Sequence, residues 1–248
     1  MNKILCLAVS SLVVAFATDA GAADLDLPFK APVPATVYNW TGCYVGANAG
    51  GGTSWSTFSD SEYYGHGTGA VAGGQVGCNY QIKKFVVGLE GELFWSGINH
   101  TYSETEPESG TAYIGGLYQD SEQSQNLWDA TLALRAGFTP LDDLLIYGKL
   151  GAAWGSYRLT YNCCNYAPTY STNETESAQA TVAGLVFGAG FEYAITPNWS
   201  VKFEYEYIDY GSPKFNFTDT YGGTTYMYSY TEGENKQIVK VGFNYKLY

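Results

Sequence analysis

Residues Trp199 to Tyr207 read Trp-Ser-Val-Lys-Phe-Glu-Tyr-Glu-Tyr. Trp199, Val201, Phe203, Tyr205 and Tyr207 hold the odd positions, and Ser200, Lys202, Glu204 and Glu206 the even ones. A period of two is the signature of a β-strand, because successive side chains leave a strand on opposite faces. One face here is aromatic and aliphatic, and the other carries only charge and hydroxyl. Such a strand suits a membrane barrel, with lipid outside and a polar interior.

The same pattern recurs outward from this stretch. In Ala183 to Ile195, Leu185, Phe187, Phe191, Tyr193 and Ile195 oppose Val186 and Glu192. Phe85, Val87, Leu89, Leu93 and Trp95 oppose Glu90 and Glu92. Trp128, Leu132, Leu134 and Phe138 oppose Asp129, Thr131 and Arg135. Ile146, Leu150 and Trp154 oppose Tyr147 and Lys149; Val239, Val241, Phe243, Tyr245 and Leu247 oppose Lys240, Asn244 and Lys246. Two weaker, glycine-rich segments, Thr41 to Gly51 and Val71 to Gln81, bring the total to eight. Each is near the roughly 9–11 residues a tilted membrane strand needs.

The links between segments alternate in length. Ile82-Lys83-Lys84, Thr139 to Asp143 and Thr196-Pro197-Asn198 are short turns with breaker residues. The others, about Thr53 to Ala70, Ile98 to Gln125, Thr160 to Gln179 and Gly211 to Asn235, are long and polar. Short periplasmic turns and long outer loops are the layout of outer-membrane barrels. The expected fold is therefore all-β, an eight-stranded antiparallel up-and-down transmembrane β-barrel. A soluble up-and-down barrel also alternates, but turns its apolar face inward. Glu90, Glu92, Arg135, Lys149, Glu192, Lys202, Glu204, Glu206 and Lys240 all share the face opposite the large aromatics, which favours the membrane form.

The N-terminus agrees with export. Met1-Asn2-Lys3 is a short basic start, Ile4 to Ala17 is apolar but too short to span a bilayer, and Ala20-Gly21-Ala22 offers small residues for cleavage. Residues 1–22 are read as a signal peptide, with cleavage after Ala22 or Ala23. Residues 23–39, with three prolines and no periodicity, are read as a periplasmic tether, and 40–248 as the barrel. Composition fits: 17% aromatic residues, 23 tyrosines and 30 glycines supply girdles and close-packed strands. The net charge of −12 disfavours nucleic acid and anionic surfaces.

Ala23-Asp24-Leu25, the Lys-Ala-Pro-rich tether and Tyr38-Asn39-Trp40-Thr41-Gly42-Cys43-Tyr44-Val45-Gly46 resemble the start of small alpha-proteobacterial (Rhizobiales-type) outer-membrane β-barrels. Gly73 to Tyr80, Leu134 to Gly137, Leu145 to Gly151 and Val241 to Lys246 are similar too. That family includes surface immunogenic, porin-like proteins and some haemin-binding members. Its members usually end on an aromatic residue in phase with the lipid face, the signal read by the barrel-insertion machinery. Here Leu247 holds that phase and Tyr248 lies beyond it.

The inward charges could line a pore or pair and fill the bore. An eight-stranded barrel is only just wide enough for its own side chains. Glu192 lies beside Lys202 across a short turn, and Glu204 and Glu206 lie beside the strand of Lys240, so a charge-paired plug is favoured. The pairs Glu90/Glu92 and Glu204/Glu206 have no nucleophile or oriented base near them, and no enzyme is expected. Cys43 and Cys78 are equidistant from the first long link and in the same phase, which predicts a disulfide in an oxidising compartment. For Cys163 and Cys164 a vicinal disulfide is favoured, with an intermolecular link and free thiols left open.

His66 and His100 sit in different links, which argues against zinc, and no cofactor is expected. Haemin capture through His66, His100, Tyr63 or Tyr64 rests on the resemblance. Glu104, Glu106, Glu108, Asp120 and Glu122 crowd the second long link and could hold divalent cations that bridge to lipopolysaccharide; a solvated acidic surface is favoured. Expected partners are outer-membrane lipid, lipopolysaccharide, the insertion machinery, and host or environmental ligands at the outer links. The expected role is a structural and surface-interaction protein. The alternative is a narrow porin or a haemin or small-ligand binder.

Overall fold

The computed structural model describes residues 38–58, 64–107, 117–163, 174–212, 214–221 and 224–247. The expected signal segment and most of the tether lie outside these residues, as do Tyr63, Glu108, Cys164 and Tyr248. The described chain forms β1 (Gly42–Phe58), β2 (Tyr64–Ile82), β3 (Phe85–Ser96), β4 (Asn99–Pro107), β5 (Leu117–Leu141), β6 (Leu144–Cys163), β7 (Glu174–Ala194), β8 (Trp199–Asp209), β9 (Lys214–Tyr221) and β10 (Thr224–Lys246).

Eight of these make a closed antiparallel ring in the order β1-β10-β8-β7-β6-β5-β3-β2, and β2 returns to β1. The remaining two continue interrupted strands. β4 follows β3 past Gly97 and Ile98 and pairs with β5, and β9 follows β8 past Gly211 and pairs with β10. Gly211 sits at φ 63°, a left-handed conformation open to glycine without strain, and there the strand leaves the ring.

The expected lipid face is the exposed one. Leu134 and Phe85 are 68% and 69% exposed, and Leu93, Trp95, Leu150, Phe187, Phe203 and Phe243 lie on the same side of the wall. Apolar exposure on this scale marks a membrane surface. The tight Lys83–Lys84, Asp142–Asp143 and 195–198 connections share one end of the barrel, with Lys83 at φ 57°.

The links expected as long polar loops are instead mostly strand. β5 runs 25 residues and β10 runs 23, well beyond the roughly 9–11 that cross a bilayer. Their threonines, tyrosines and serines favour pleated structure, and continuing hairpins satisfy the backbone that loops would leave to water. Hence His66 and His100 lie on β2 and β4 rather than in loops. A second correction concerns the tether: Tyr38 and Asn39, assigned to it by the absence of periodicity, join the barrel end. Tyr38 packs edge-on against Trp40, and Asn39 bonds Thr41 and Lys246.

Glycine on the inner wall makes room for long polar side chains. A Cβ on Gly77 would stand 2.4 Å from the Tyr44 hydroxyl oxygen and 2.9 Å from the Leu89 carbonyl. Gly77→Ala is expected to push Tyr44 off its partners and cost about 1–2 kcal/mol, read by urea unfolding in micelles. An unchanged midpoint would show that the wall yields there.

Candidate functional site

Among the described residues, the bore is where these strands bring reactive groups together. Glu90 and Glu92 come from β3, Arg135 from β5, Lys149 from β6, Glu192 from β7, Lys202, Glu204 and Glu206 from β8, and Lys240 from β10. The structure buries all nine. Strand alternation puts each on the inner wall, and the ring turns all the inner walls toward one axis.

Lys149 is the hub. Its ammonium stands 3.5, 3.2 and 3.0 Å from carboxylate oxygens of Glu90, Glu92 and Glu204, and it also pairs with Glu206. Lys240 reaches Glu206 at 2.6 Å and Glu92 at 2.7 Å. Lys202 bridges Glu90 at 3.3 Å and Glu204 at 3.6 Å. Arg135 reaches Glu192 at 2.8 Å and Glu90 at 3.3 Å while lying 3.9 Å over the ring of Tyr147. Five carboxylates thus meet four cations, and tyrosine and amide donors add to them. The Tyr44 hydroxyl donates to Glu90 at 2.7 Å, Tyr147 to Glu204 at 2.6 Å, and Asn48 to Glu92 at 2.6 Å.

The ladder sets Glu192 opposite Lys202, as their places beside a short turn suggested, yet their charges find other partners. Glu192 bonds Arg135, Ser200 and Asn244, and Lys202 crosses to Glu90. Part of the pairing is therefore transverse, tying strands that are not neighbours, while Arg135–Glu90 and Lys240–Glu206 join adjacent ones. Oxygens of Glu90, Glu92 and Glu204 converge within 4.8 Å, a spacing a metal ion could use. The lysine ammoniums already supply the positive charge such an ion would bring.

The network lies between two apolar layers. At the short-turn end Trp40, Val86, Leu145, Tyr147 and Ala194 pack together, and Trp40 donates its indole N–H to the Asp142 carbonyl at 3.1 Å. Burial and the Glu192 carboxylate push the Tyr38 hydroxyl up to about 12, so it stays protonated. A pocket of about 10 Å³ remains there, room for a single water. On the other side Val71, Phe94, Val186, Ile208 and Ile238 pack together as a second apolar cluster.

Beyond that layer stands a second ionic group that the segment limits cut short. Lys236 reaches Asp129 at 2.9 Å, and the Tyr210 hydroxyl donates to Asp129 at 2.5 Å. Extending the even phase of β10 from Lys240 through Ile238 to Lys236 would have found it.

Among the described residues, the other candidates are not gathered. His66 is exposed on the outer face and edge-on to Trp55 at 5.6 Å, whereas His100 is buried. They face opposite sides of the wall, so together they cannot clamp one planar ligand. Tyr64 opens β2, and Cys163 closes β6.

Cys43 and Cys78 are rung partners of β1 and β2 and are joined as a disulfide on the exposed face near the short-turn end. Replacing both with serine is expected to cost about 2 kcal/mol, the low end for such a staple because the β1–β2 ladder already holds the hairpin. Urea unfolding of the oxidised and double-serine proteins reads the difference, and identical curves would show an idle bond.

Residues 9–246 match the family model described as outer membrane protein beta-barrel domain. The chain is 34% identical over 256 residues to the 31 kDa outer-membrane immunogenic protein of Brucella melitensis biotype 1, covering 96% of this chain and 98% of that one. It is 27% identical to the 22 kDa outer membrane protein of Rhizobium leguminosarum bv. viciae, over 84% and 78% of the two chains. Among solved structures, the outer membrane protease OmpT of Escherichia coli aligns with a TM-score of 0.51 at 10% identity, over 85% of this chain and 98% of that one. That last likeness concerns the fold alone.

Proposed function

The chain belongs to the outer membrane protein β-barrel family, and on that premise we propose that it is a non-catalytic structural and surface-interaction protein. The barrel anchors in the outer membrane with a side-chain-filled bore, and its extended hairpins stand on the outer side as the recognition surface. Its partners are outer-membrane lipid and lipopolysaccharide at the wall, the insertion machinery during assembly, and extracellular ligands at the hairpins. The observation that carries this reading is the transverse charge network, buried between two apolar layers. A solute would have to break several buried ion pairs at once, each costly to separate.

Liposome swelling with small neutral sugars tests the reading. Vesicles carrying the pure, folded barrel should swell no faster than protein-free vesicles. Swelling graded by sugar size would replace this reading with that of a narrow porin.

A further inference from the structure

Three tryptophans mark where the wall leaves the hydrocarbon on the side away from the short turns. Trp95 on β3 and Trp128 on β5 are rung partners, Trp154 follows on β6, and all three are exposed. Leu144 to Trp154 makes one membrane crossing of about 9–11 residues, and its outward Ile146, Leu150 and Trp154 are apolar. Aromatic belts of this kind sit at the interfaces of a membrane barrel. Beyond the belt the same face changes chemistry. Among the described residues, its laddered outward positions on β5, β6 and β7 hold glutamine, serine, threonine, asparagine and one arginine, with no carboxylate.

The register sets Gln125, Arg158 and Gln179 in one row across these three strands. Arg158 and Gln179 are exposed and Gln125 is half-buried. Gln179 donates to the Ser156 hydroxyl at 3.2 Å, which ties it to the wall. The Arg158 guanidinium has no ion pair or hydrogen bond among the described residues, whereas Arg135, Lys149, Lys202, Lys236 and Lys240 are all held by carboxylates. Arg158 stands four residues past Trp154. That is about 13 Å along the strand, or roughly 10 Å in height at a tilt of about 35–45°. Headgroups fill about 5–8 Å beyond each face of the hydrocarbon core, and a guanidinium on its flexible stem reaches down into that zone.

We infer that this row is a headgroup site for lipopolysaccharide of the outer leaflet. Arg158 takes a phosphate of the diglucosamine headgroup, and Gln125 and Gln179 take hydroxyl or amide groups of its sugars. Arginine grips phosphate with two parallel hydrogen bonds, and a side-chain amide donates and accepts as a sugar hydroxyl does. Three paired strands hold the row in place, so little ordering opposes binding. The chain carries −12 overall, so the attraction is local to this face. This deepens the reading of lipopolysaccharide as a partner at the wall, and it rests on that reading.

The test titrates the full mature chain, folded in micelles, with three lipids and counts bound lipid by native mass spectrometry. The lipids are lipid A with its phosphates, the same lipid A with its phosphates removed, and phosphatidylglycerol. Phosphorylated lipid A should bind saturably and about tenfold more tightly than either of the others. Arg158→Gln should remove that advantage, and Arg158→Lys should keep part of it, because an ammonium makes a point contact rather than a fork. Gln125→Ala combined with Gln179→Ala should weaken phosphorylated lipid A by roughly threefold and leave phosphatidylglycerol unchanged. Each variant should fold as the wild type does, since none of these side chains faces the bore.

Equal binding of phosphorylated lipid A and phosphatidylglycerol would overturn the inference, since any anionic headgroup would then suffice. So would an Arg158→Gln variant that binds phosphorylated lipid A as the wild type does, or absence of binding. None of these results touches the filled bore, which the swelling assay decides separately.

Discussion

Replacing Lys149 with methionine is expected to destabilise the barrel by about 3–5 kcal/mol, the usual penalty when one partner of a buried ion pair is removed. Methionine keeps most of the length of the side chain, so packing changes little. What changes is charge. Lys149 bridges Glu90, Glu92, Glu204 and Glu206. Without it, five buried carboxylates share Arg135, Lys202 and Lys240 between two apolar clusters. Adding Glu206→Gln to the same chain should recover part of the loss, because Glu206 then no longer carries a charge beside the missing ammonium. Urea titration in micelles, followed by the shift between folded and unfolded gel mobility, measures both. A loss under about 1 kcal/mol would mean that the carboxylates are hydrated, as exposed pairs are.

Leu134→Arg should cost about 2–4 kcal/mol, the range for arginine on the lipid face near the bilayer midplane. Leu134 is 68% exposed and sits seven residues from the short-turn end of β5 (Leu117–Leu141), with Leu89 and Leu150 as its rung partners. In a water-soluble barrel an arginine at so exposed a position would be harmless, so the variant discriminates between the two solvents. The measurement is the folded fraction recovered in lipid vesicles. Lys83→Glu in the short turn serves as the control, with no loss expected. Equal folding of wild type and Leu134→Arg would place this wall in water.

Much of this fold was legible because a strand period of two is a purely local signal. Trp199 to Tyr207 assigns the lipid and bore faces without knowledge of any neighbour, and the same phase carries through the other segments. The β1–β2 register follows from the hairpin, so the Cys43–Cys78 pair could be read from spacing. What could not be read is set by contact across the bore. Glu192 and Lys202 are ladder neighbours, but Glu192 pairs with Arg135 two strands away and Lys202 crosses the bore to Glu90 on β3.

The upper strands were missed for a different reason. The bilayer fixes how much chain must be apolar outward, not where pairing stops, so the Tyr-rich and Thr-rich hairpins looked like loops. That is also why Lys236 and Asp129 were not recognised as a pair. Trp40 was taken as the first residue of the wall, yet it packs inside the end of the barrel. A single aromatic before the first strand carries no periodicity from which that could be inferred.

The central claim is that the interior of this barrel is occupied by its own ion pairs and leaves no continuous aqueous path. Single-channel recording of the pure, folded protein in a planar bilayer tests it most directly. The account predicts a baseline without stable, repeating conductance steps; discrete steps of constant size from the wild-type protein would contradict it.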